Sequence, residues 1–416
     1  MLLLAYAGIA FSCRSASPAV TRQNFAPYYT PDKKPLNPSY FIFNPNERLS
    51  RLYFIVDAAD LLYAKNNNDE NYTARVMLNY ILHPITNVKA IADSGQIVLD
   101  DIGVPGQQKK LAGSIDIDVP VEGRYFVEIN FRDLNKATLS HAIMYLDHSN
   151  INASNNFLTT YPGTETPLFR NYVDPGESFS IRHRDPSVQK ILVRYFKPKD
   201  SPAPPPYASI GKFPAPVADS SWTITTQEAR NISFRAKGQY VFSISESMYD
   251  GMLINVLDED YPKVTSAMEL LFPMRYLTTK QEFIDIQTSA NIKKSIDDFW
   301  LKSAGSEERA RELIFNFYSR VEIANKQFTS SKEGWKTDRG MIYIIFGPPQ
   351  NVYRNASNET WFYGNDIGSQ ALSFVFQHNT DAFSENEFIL DRNMNYRINW
   401  IQAVDMWRQG QVYTAR

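Results

Sequence analysis

The sequence predicts a multidomain chain, mainly β at first and α+β at its C-terminal end. The expected parts are two immunoglobulin-like (Ig-like) β-sandwich domains, followed by a helical hairpin packed on an antiparallel sheet. Three observations lead there. Apolar residues recur at every second position in short runs up to about residue 264, separated by polar or proline-bearing turns. Near residue 265 the period becomes that of a helix. At 416 residues the chain is also longer than one hydrophobic core usually serves, so two or three domains are expected.

The first element is an apolar run from Leu2 to Phe11 in "MLLLAYAGIAFSCRSASPAV". It is too short to span a bilayer as a helix and has the length of a signal-peptide core. Small residues (Ala7, Gly8, Ala10, Ser12) precede Cys13, and a polar Ser/Ala/Pro stretch follows. This arrangement resembles a bacterial lipoprotein signal, although no Lys or Arg precedes the apolar run. The resemblance implies that Cys13 is lipidated and holds the protein at the outer membrane. No acidic run follows Cys13, which favours the periplasmic side. Cys13 is the sole cysteine, so no intramolecular disulfide and no multi-cysteine metal site is expected.

Beyond this segment (1–25), the first sandwich is expected over 26–150. "NYTARVMLNYIL" sets Tyr72, Ala74, Val76, Leu78 and Tyr80 on one side and Thr73, Arg75, Met77 and Asn79 on the other. "RLYFIVDA", "SIDIDVP", "GRYFVEINF" and "ATLSHAIMYL" alternate similarly. The second sandwich, 151–264, draws on "PGESFSIRH", "QKILVRYFKP", "SWTITT", "RNISFRA", "GQYVFSIS" and "GMLINVL". A loop at 202–216 carries six prolines, which remove ladder donors and exclude a central strand. It reads as a long semi-rigid loop of that domain or as a polyproline ligand for an aromatic groove.

The last unit, 265–416, opens with helices. Thr279 with Glu282 forms a capping-box pattern, and Ser306 before Glu307 and Glu308 suits a helix start. Gly305 separates the two helices of the hairpin. Ala310, Leu313, Ile314, Phe317, Val321, Ala324 and Phe328 share one helical face, expected to be core. Downstream, "MIYIIF" is expected as a strand covered on both faces, ended by Gly347-Pro348-Pro349. "NETWFYGN", "QALSFVFQHN" and "NEFILDR" would continue an antiparallel meander. A closing helix would turn Ile398, Ile401, Val404, Met406 and Trp407 inward.

Between helix and expected strand lies "GWKTDRG". Gly334 and Gly340 permit a sharp change of direction, and Trp335 supplies an apolar lid. Thr337 and Asp338 can accept from backbone donors, while Arg339 can clamp a carboxylate through two nitrogens. Together these roles describe a pinned helix-to-strand corner. The catalytic alternative makes Asp338 a base or nucleophile and Arg339 an anion clamp, with Glu333 or Glu359 as second acid.

Those residues carry a resemblance. Gly334, Trp335, Thr337, Asp338, Arg339 and Gly340, the following apolar run and Gly347-Pro348-Pro349 resemble the signature of the GWxTD-domain proteins. "ANKQF" upstream and "ETWFYGN" downstream extend it over roughly 265–416. The resemblance implies an extracytoplasmic protein of Bacteroidota-type bacteria and brings no established activity with it.

Several function classes lose support on composition. With 43 basic against 45 acidic residues, no basic face for nucleic acid is expected. The five histidines, His83, His141, His148, His183 and His378, show no metal-ligand spacing, and no cofactor motif is present. Asn71, Asn152, Asn231, Asn355 and Asn358 form chance Asn-x-Ser/Thr matches in an Asn-rich chain. Asp297 and Asp298 suit a solvated helix face, and Arg182-His183-Arg184 a strand end. The expectation is a non-enzymatic envelope scaffold with an outer-membrane or periplasmic protein partner. A hydrolase or glycan-binding protein, acting on polysaccharide or peptide, is the alternative.

Overall fold

The computed structural model describes residue 24 and residues 26–29, 36–65, 71–87, 89–198, 201–211, 216–246, 250–355, 357–364, 372–379 and 383–414. Cys13 and the apolar run before it lie outside the described residues. The chain is mostly antiparallel β structure, with its helices gathered towards the C-terminus.

The first β unit has two sheets. One runs in the order Ser39–Phe43, Leu49–Asp57, Lys110–Asp118; the other runs Asp93–Gly103, Tyr72–Pro84, Arg124–Asp133, Thr138–Asp147. Alternation along Tyr72–Pro84 buries Ala74, Val76, Leu78, Tyr80 and Leu82, which share a core with Leu52, Phe54 and Val56 of the facing sheet. Tyr72, expected on that inner side, is exposed where the strand begins.

The second unit pairs a five-stranded sheet with a three-stranded one. The larger is ordered Ser220–Thr225, Lys190–Phe196, Gly238–Ser243, Met252–Val256, Tyr172–Val173, and only its last pair is parallel. The smaller is ordered Ile232–Ser233, Ser178–His183, Phe157–Thr160. Phe179, Ile181, Ile191, Val193, Phe242 and Ile254 form the core between them. The proline-rich segment joins two neighbouring strands of the larger sheet, Lys190–Phe196 and Ser220–Thr225. It also reaches the C-terminal unit: Ala203 is buried there and its N–H donates to the Lys336 carbonyl at 2.9 Å.

Among the described residues, six helices follow: α1 (Ala267–Leu271), α2 (Lys280–Gln287), α3 (Ile292–Ala304), α4 (Glu307–Phe328), α5 (Asp338–Phe346) and α6 (Tyr396–Arg408). Both sides of the Thr279/Glu282 capping box form at α2. The α3–α4 hairpin turns at Gly305, whose φ of 76° is left-handed and suits glycine. On α4, Ala310, Leu313, Phe317, Val321, Ala324 and Phe328 are buried as the spacing predicts, and Ile314 is half-buried. The Ser306 hydroxyl accepts from the Arg309 N–H at the start of α4. Ser306→Ala should therefore cost about 1 kcal/mol, read as a shift in the denaturant midpoint.

Two expectations fail here. Residues 341–346 are not a strand but the body of α5. Thr337 caps this helix by accepting from the Gly340 N–H at 3.0 Å, and Asp338 occupies its first turn. Every residue from Asp338 to Phe346 is buried, so the helix is enclosed on all sides. A run apolar at every position has no period, and alternation cannot be read from it. The antiparallel meander therefore begins one element later, as Asn351–Arg354, Asn358–Tyr363, Leu372–His378 and Phe388–Leu390.

The second failure is the rotation of α6. Trp400, Ala403 and Trp407 are its buried residues, with Val404 and Met406 half-buried, whereas Ile398 is 69% and Ile401 41% exposed. The i, i+3, i+7 set with the larger rings wins the core, because Trp407 packs on Trp300 and Phe317 and its indole donates to the Ile345 carbonyl.

Helices and meander share one core. Ala26 and Tyr29 pack in that core too, although they precede the first β unit in the chain.

Candidate functional site

The signature turn follows directly from the end of α4. Gly334–Lys336 forms one 3₁₀ turn, and α5 starts at once, so the corner joins helix to helix rather than helix to strand. Its backbone is held on all sides. The Gly334 N–H donates to Tyr261 Oη at 3.1 Å, and the Trp335 N–H to Asn325 Oδ1 at 3.0 Å. Tyr276 Oη donates to the Trp335 carbonyl at 2.9 Å, and Thr337 Oγ1 to the Gly334 carbonyl at 2.7 Å. The Trp335 ring is buried edge-on to Tyr276.

The glycines are needed for close approach. A Cβ on Gly334 would lie 1.9 Å from the Ala324 carbonyl oxygen, and one on Gly340 would lie 1.9 Å from that of Gly334. The turn therefore sits directly on the last turns of α4, with no room for a methyl group.

Asp338 projects from the start of α5 to the far end of the meander. Its Oδ2 accepts from the Leu390 N–H at 2.8 Å and from Arg392 Nη1 at 3.0 Å, while Arg392 Nη2 reaches Oδ1 at 2.5 Å. Both partners are nearly enclosed. Arg392 Nη2 also donates to the Pro204 carbonyl at 3.1 Å, so the proline-rich segment is tied to the same pair. Asp338→Asn should lower stability by about 2 kcal/mol through loss of charge-assisted bonds. Urea denaturation of the purified chain would measure it.

Arg339 points the other way, over the rings of Phe388 at 4.1 Å and Phe328 at 5.1 Å. The clamp expected of it is not bidentate. Nη1 meets Glu359 Oε2 at 3.4 Å, and Nη2 binds the Asn386 carbonyl and side-chain oxygens instead.

Glu359 is fully buried and has more partners. Arg354 Nε donates to its Oε2 at 2.8 Å, while Trp361 Nε1 at 2.5 Å and Tyr29 Oη at 3.0 Å donate to its Oε1. Burial alone would raise its pKa, but Arg354 and Arg339 outweigh that and hold the carboxyl below its ordinary range. Burial pushes the Tyr29 phenol up to about 12, so it stays a donor at neutral pH. Tyr343 donates to the Tyr29 carbonyl, and Asn24 accepts from the Val352 N–H at 2.8 Å. The N-terminal arm is thus part of this cluster.

At the other end of α5, Gly347 turns the chain at a φ of 80° against the Arg320 guanidinium, before Pro348 and Pro349. Arg320 is buried, donates to the Ile344 and Ile345 carbonyls at 3.1 and 3.3 Å, and stacks over Trp407. A cation there satisfies orphan carbonyls at a helix C-terminus.

The other sequence candidates are dispersed. Glu333 pairs with Lys336 at 2.8 Å. Asp338, Arg339 and Glu359 line none of the three described cavities. Burial pushes His141 and His378 down to about 4, leaving both neutral at pH 7. In 182–184, Arg182 pairs with Glu165 on the surface while His183 turns inward to the Ile151 carbonyl, so the three do not converge on one ligand. Asp297 pairs with Lys293 on an exposed helix face. Among the described residues no group of three or more His, Cys, Asp or Glu is placed to hold a metal ion.

The sequence reading missed Arg392, Arg354, Arg320 and Tyr29. Arg392, Arg320 and Tyr29 meet these residues only through long-range contacts, whereas Arg354 faces Glu359 across a hairpin, five residues away.

Comparison with known proteins adds a family. Residues 238–409 match the GWxTD domain, a span that also takes in the strands Gly238–Ser243 and Met252–Val256. No curated protein matches the chain. Among solved structures it is similar to a beta-glucuronidase from glycoside hydrolase family 2, with TM-score 0.20 and 10% identity, over 40% of this chain and 14% of that one. A putative beta-galactosidase from Bacteroides fragilis gives TM-score 0.18 and 9% identity, over 36% and 19% of the two chains. The BSP domain of a biofilm associated protein gives 0.17 and 9%, over 56% and 54%. The chain spans less than a fifth of either glycosidase, and likenesses at this level assign neither fold nor activity. The matched span, with the buried Gly-Trp-Lys-Thr-Asp turn inside it, identifies residues 238–409 as a GWxTD domain.

Proposed function

We propose that this protein is a non-enzymatic lipoprotein of the cell envelope, a scaffold or accessory subunit of an outer-membrane or secretion assembly. In this reading Cys13 is acylated and holds the chain at the periplasmic face of the outer membrane. Two Ig-like sandwiches act as spacers, and the GWxTD domain meets a protein partner. One observation carries it: the charged signature residues are consumed in buried ties. Asp338 is bound to Arg392 and the Leu390 N–H, and Arg339 to Asn386 and Glu359. Residues so committed hold elements together and are poorly disposed to exchange protons with a substrate. No described helix is long and apolar enough to cross a membrane.

The test is affinity capture of the tagged full chain from solubilised envelope, with mass spectrometry of the N-terminal peptide. A companion recovered in constant ratio, together with an acylated Cys13, is the expected result. An unacylated chain in the cytosol, or recovery of the chain alone, contradicts it.

A further inference from the structure

We infer that the GWxTD domain, at its edge strand Asn351–Arg354, is the part of the molecule held against the lipid bilayer, because the N-terminal arm fastens there before the chain enters the first β unit. This rests on the acylation of Cys13 in the reading above and says which face the anchor holds down. Chain order alone suggests the opposite arrangement, with a sandwich beside the anchor and the GWxTD domain farthest from it.

The arm is fastened at two points. Asn351–Arg354 is an outer strand of the meander, paired within the sheet only to Asn358–Tyr363. On it, Asn24 Nδ2 donates to the Gln350 carbonyl at 3.1 Å, and Asn24 Oδ1 accepts from the Val352 N–H at 2.8 Å. These two bonds flank Asn351 as those of a residue on a parallel neighbouring strand would, so a side-chain amide covers part of the sheet edge. Oδ1 also accepts from the Ala26 N–H at 2.9 Å, which turns the chain into the 3₁₀ turn Ala26–Tyr29.

Tyr29 is the second point. Its ring lies between Phe328 and Trp361, with centroids 5.2 and 5.3 Å away. Its hydroxyl donates to Glu359 and accepts from Arg354, both at 3.0 Å, and its carbonyl accepts from Tyr343. A buried ring whose hydroxyl is shared between two charged groups is a firm hold, unlike a contact at the surface.

The length of chain ahead of the arm sets the geometry. Asn24 stands 11 positions after Cys13. A chain of that length spans at most about 40 Å, roughly the diameter of a domain this size. The first sandwich strand starts only at Ser39, beyond the Tyr29 socket. The path from the lipid to either sandwich therefore passes the GWxTD domain first, and the sandwiches are carried by that domain.

The test joins the Cys13 thiol, the sole one in the purified full chain, to a maleimide-headgroup lipid in phosphatidylcholine nanodiscs. A photoactivatable headgroup lipid in the same discs marks the residues near the bilayer, and mass spectrometry maps them. Labelling is expected to favour 350–364 over 93–104, which covers the edge strand Asp93–Gly103 of the first unit. A Gly/Ser insert of about 30 residues between Cys13 and Asn24 should lower the labelling of 350–364 about sevenfold, as the −3/2 power of tether length requires. The same insert between Tyr29 and Leu36 should leave that labelling unchanged. Equal losses from the two inserts, or denser labelling of 93–104 in the chain without inserts, overturn the inference. Mass spectrometry of the Cys13 peptide from native envelope decides the other reading. An acylated Cys13 with the reversed pattern overturns the orientation alone, whereas an unacylated Cys13 defeats the lipoprotein reading whatever the pattern.

Discussion

Glu359→Gln is expected to destabilise the folded chain by about 3–5 kcal/mol, the cost of removing one member of a buried ionic cluster. The carboxylate is fully buried and faces two guanidiniums, Arg354 and Arg339, at 2.5 and 3.4 Å. Glutamine keeps the shape but leaves both cations without their shared counter-charge. It also weakens the acceptor for Trp361 Nε1 and Tyr29 Oη, so the N-terminal arm should loosen with the core.

The pH dependence has a definite sign. The folded-state pKa of Glu359 is depressed below an unfolded value near ~4.3, so its contribution is fully present above that pH. It is lost as pH falls through the folded value. The stability gap between wild type and Glu359→Gln should therefore be widest at neutral pH and shrink below about pH 4. Denaturant titrations of both proteins across that range would show it.

Gly340→Ala is the second large effect, and its direction is diagnostic. Inside an ordinary helix the change gains up to about 1 kcal/mol, because alanine is the better helix former. Here the new methyl would stand 1.9 Å from the Gly334 carbonyl oxygen. Backbone must move, and a loss of about 3 kcal/mol is expected, at the upper end of overpacking costs. Gly334→Ala should behave alike, against the carbonyl of Ala324. Thermal melts of the two variants suffice; a rise in midpoint would mean that α5 and the turn (Gly340→Ala), or the turn and α4 (Gly334→Ala), are less closely apposed than described.

What the sequence made legible was whatever a local pattern encodes. The α4 stripe, the Thr279/Glu282 capping box, the Gly305 break and the alternation of Tyr72–Pro84 each rest on neighbours within a few residues. Helix α5 was misread because its apolar residues are uninterrupted, although Thr337 and Asp338 ahead of it are the signals of a helix start. Helix α6 presents apolar residues on more than one face, and its sequence does not say that Trp400 and Trp407, rather than Ile398 and Ile401, meet the core.

The signature was recognisable as a corner while its partners were not. Arg392 lies 54 residues from Asp338, and Tyr29 lies 330 from Glu359. Such pairings depend on the completed fold. The bidentate carboxylate pair expected of Arg339 exists, but Asp338 and Arg392 make it.

The central claim is that the signature aspartate works by holding the meander and the proline-rich segment to α5 through Arg392. A double-mutant cycle of Asp338→Asn and Arg392→Met, measured by denaturation, tests it most directly. A coupling of about 1–3 kcal/mol is expected, so that the second substitution costs little once the first is made. Strictly additive losses would contradict the claim, as would an Asp338→Asn chain of unchanged stability that no longer captures its envelope companion.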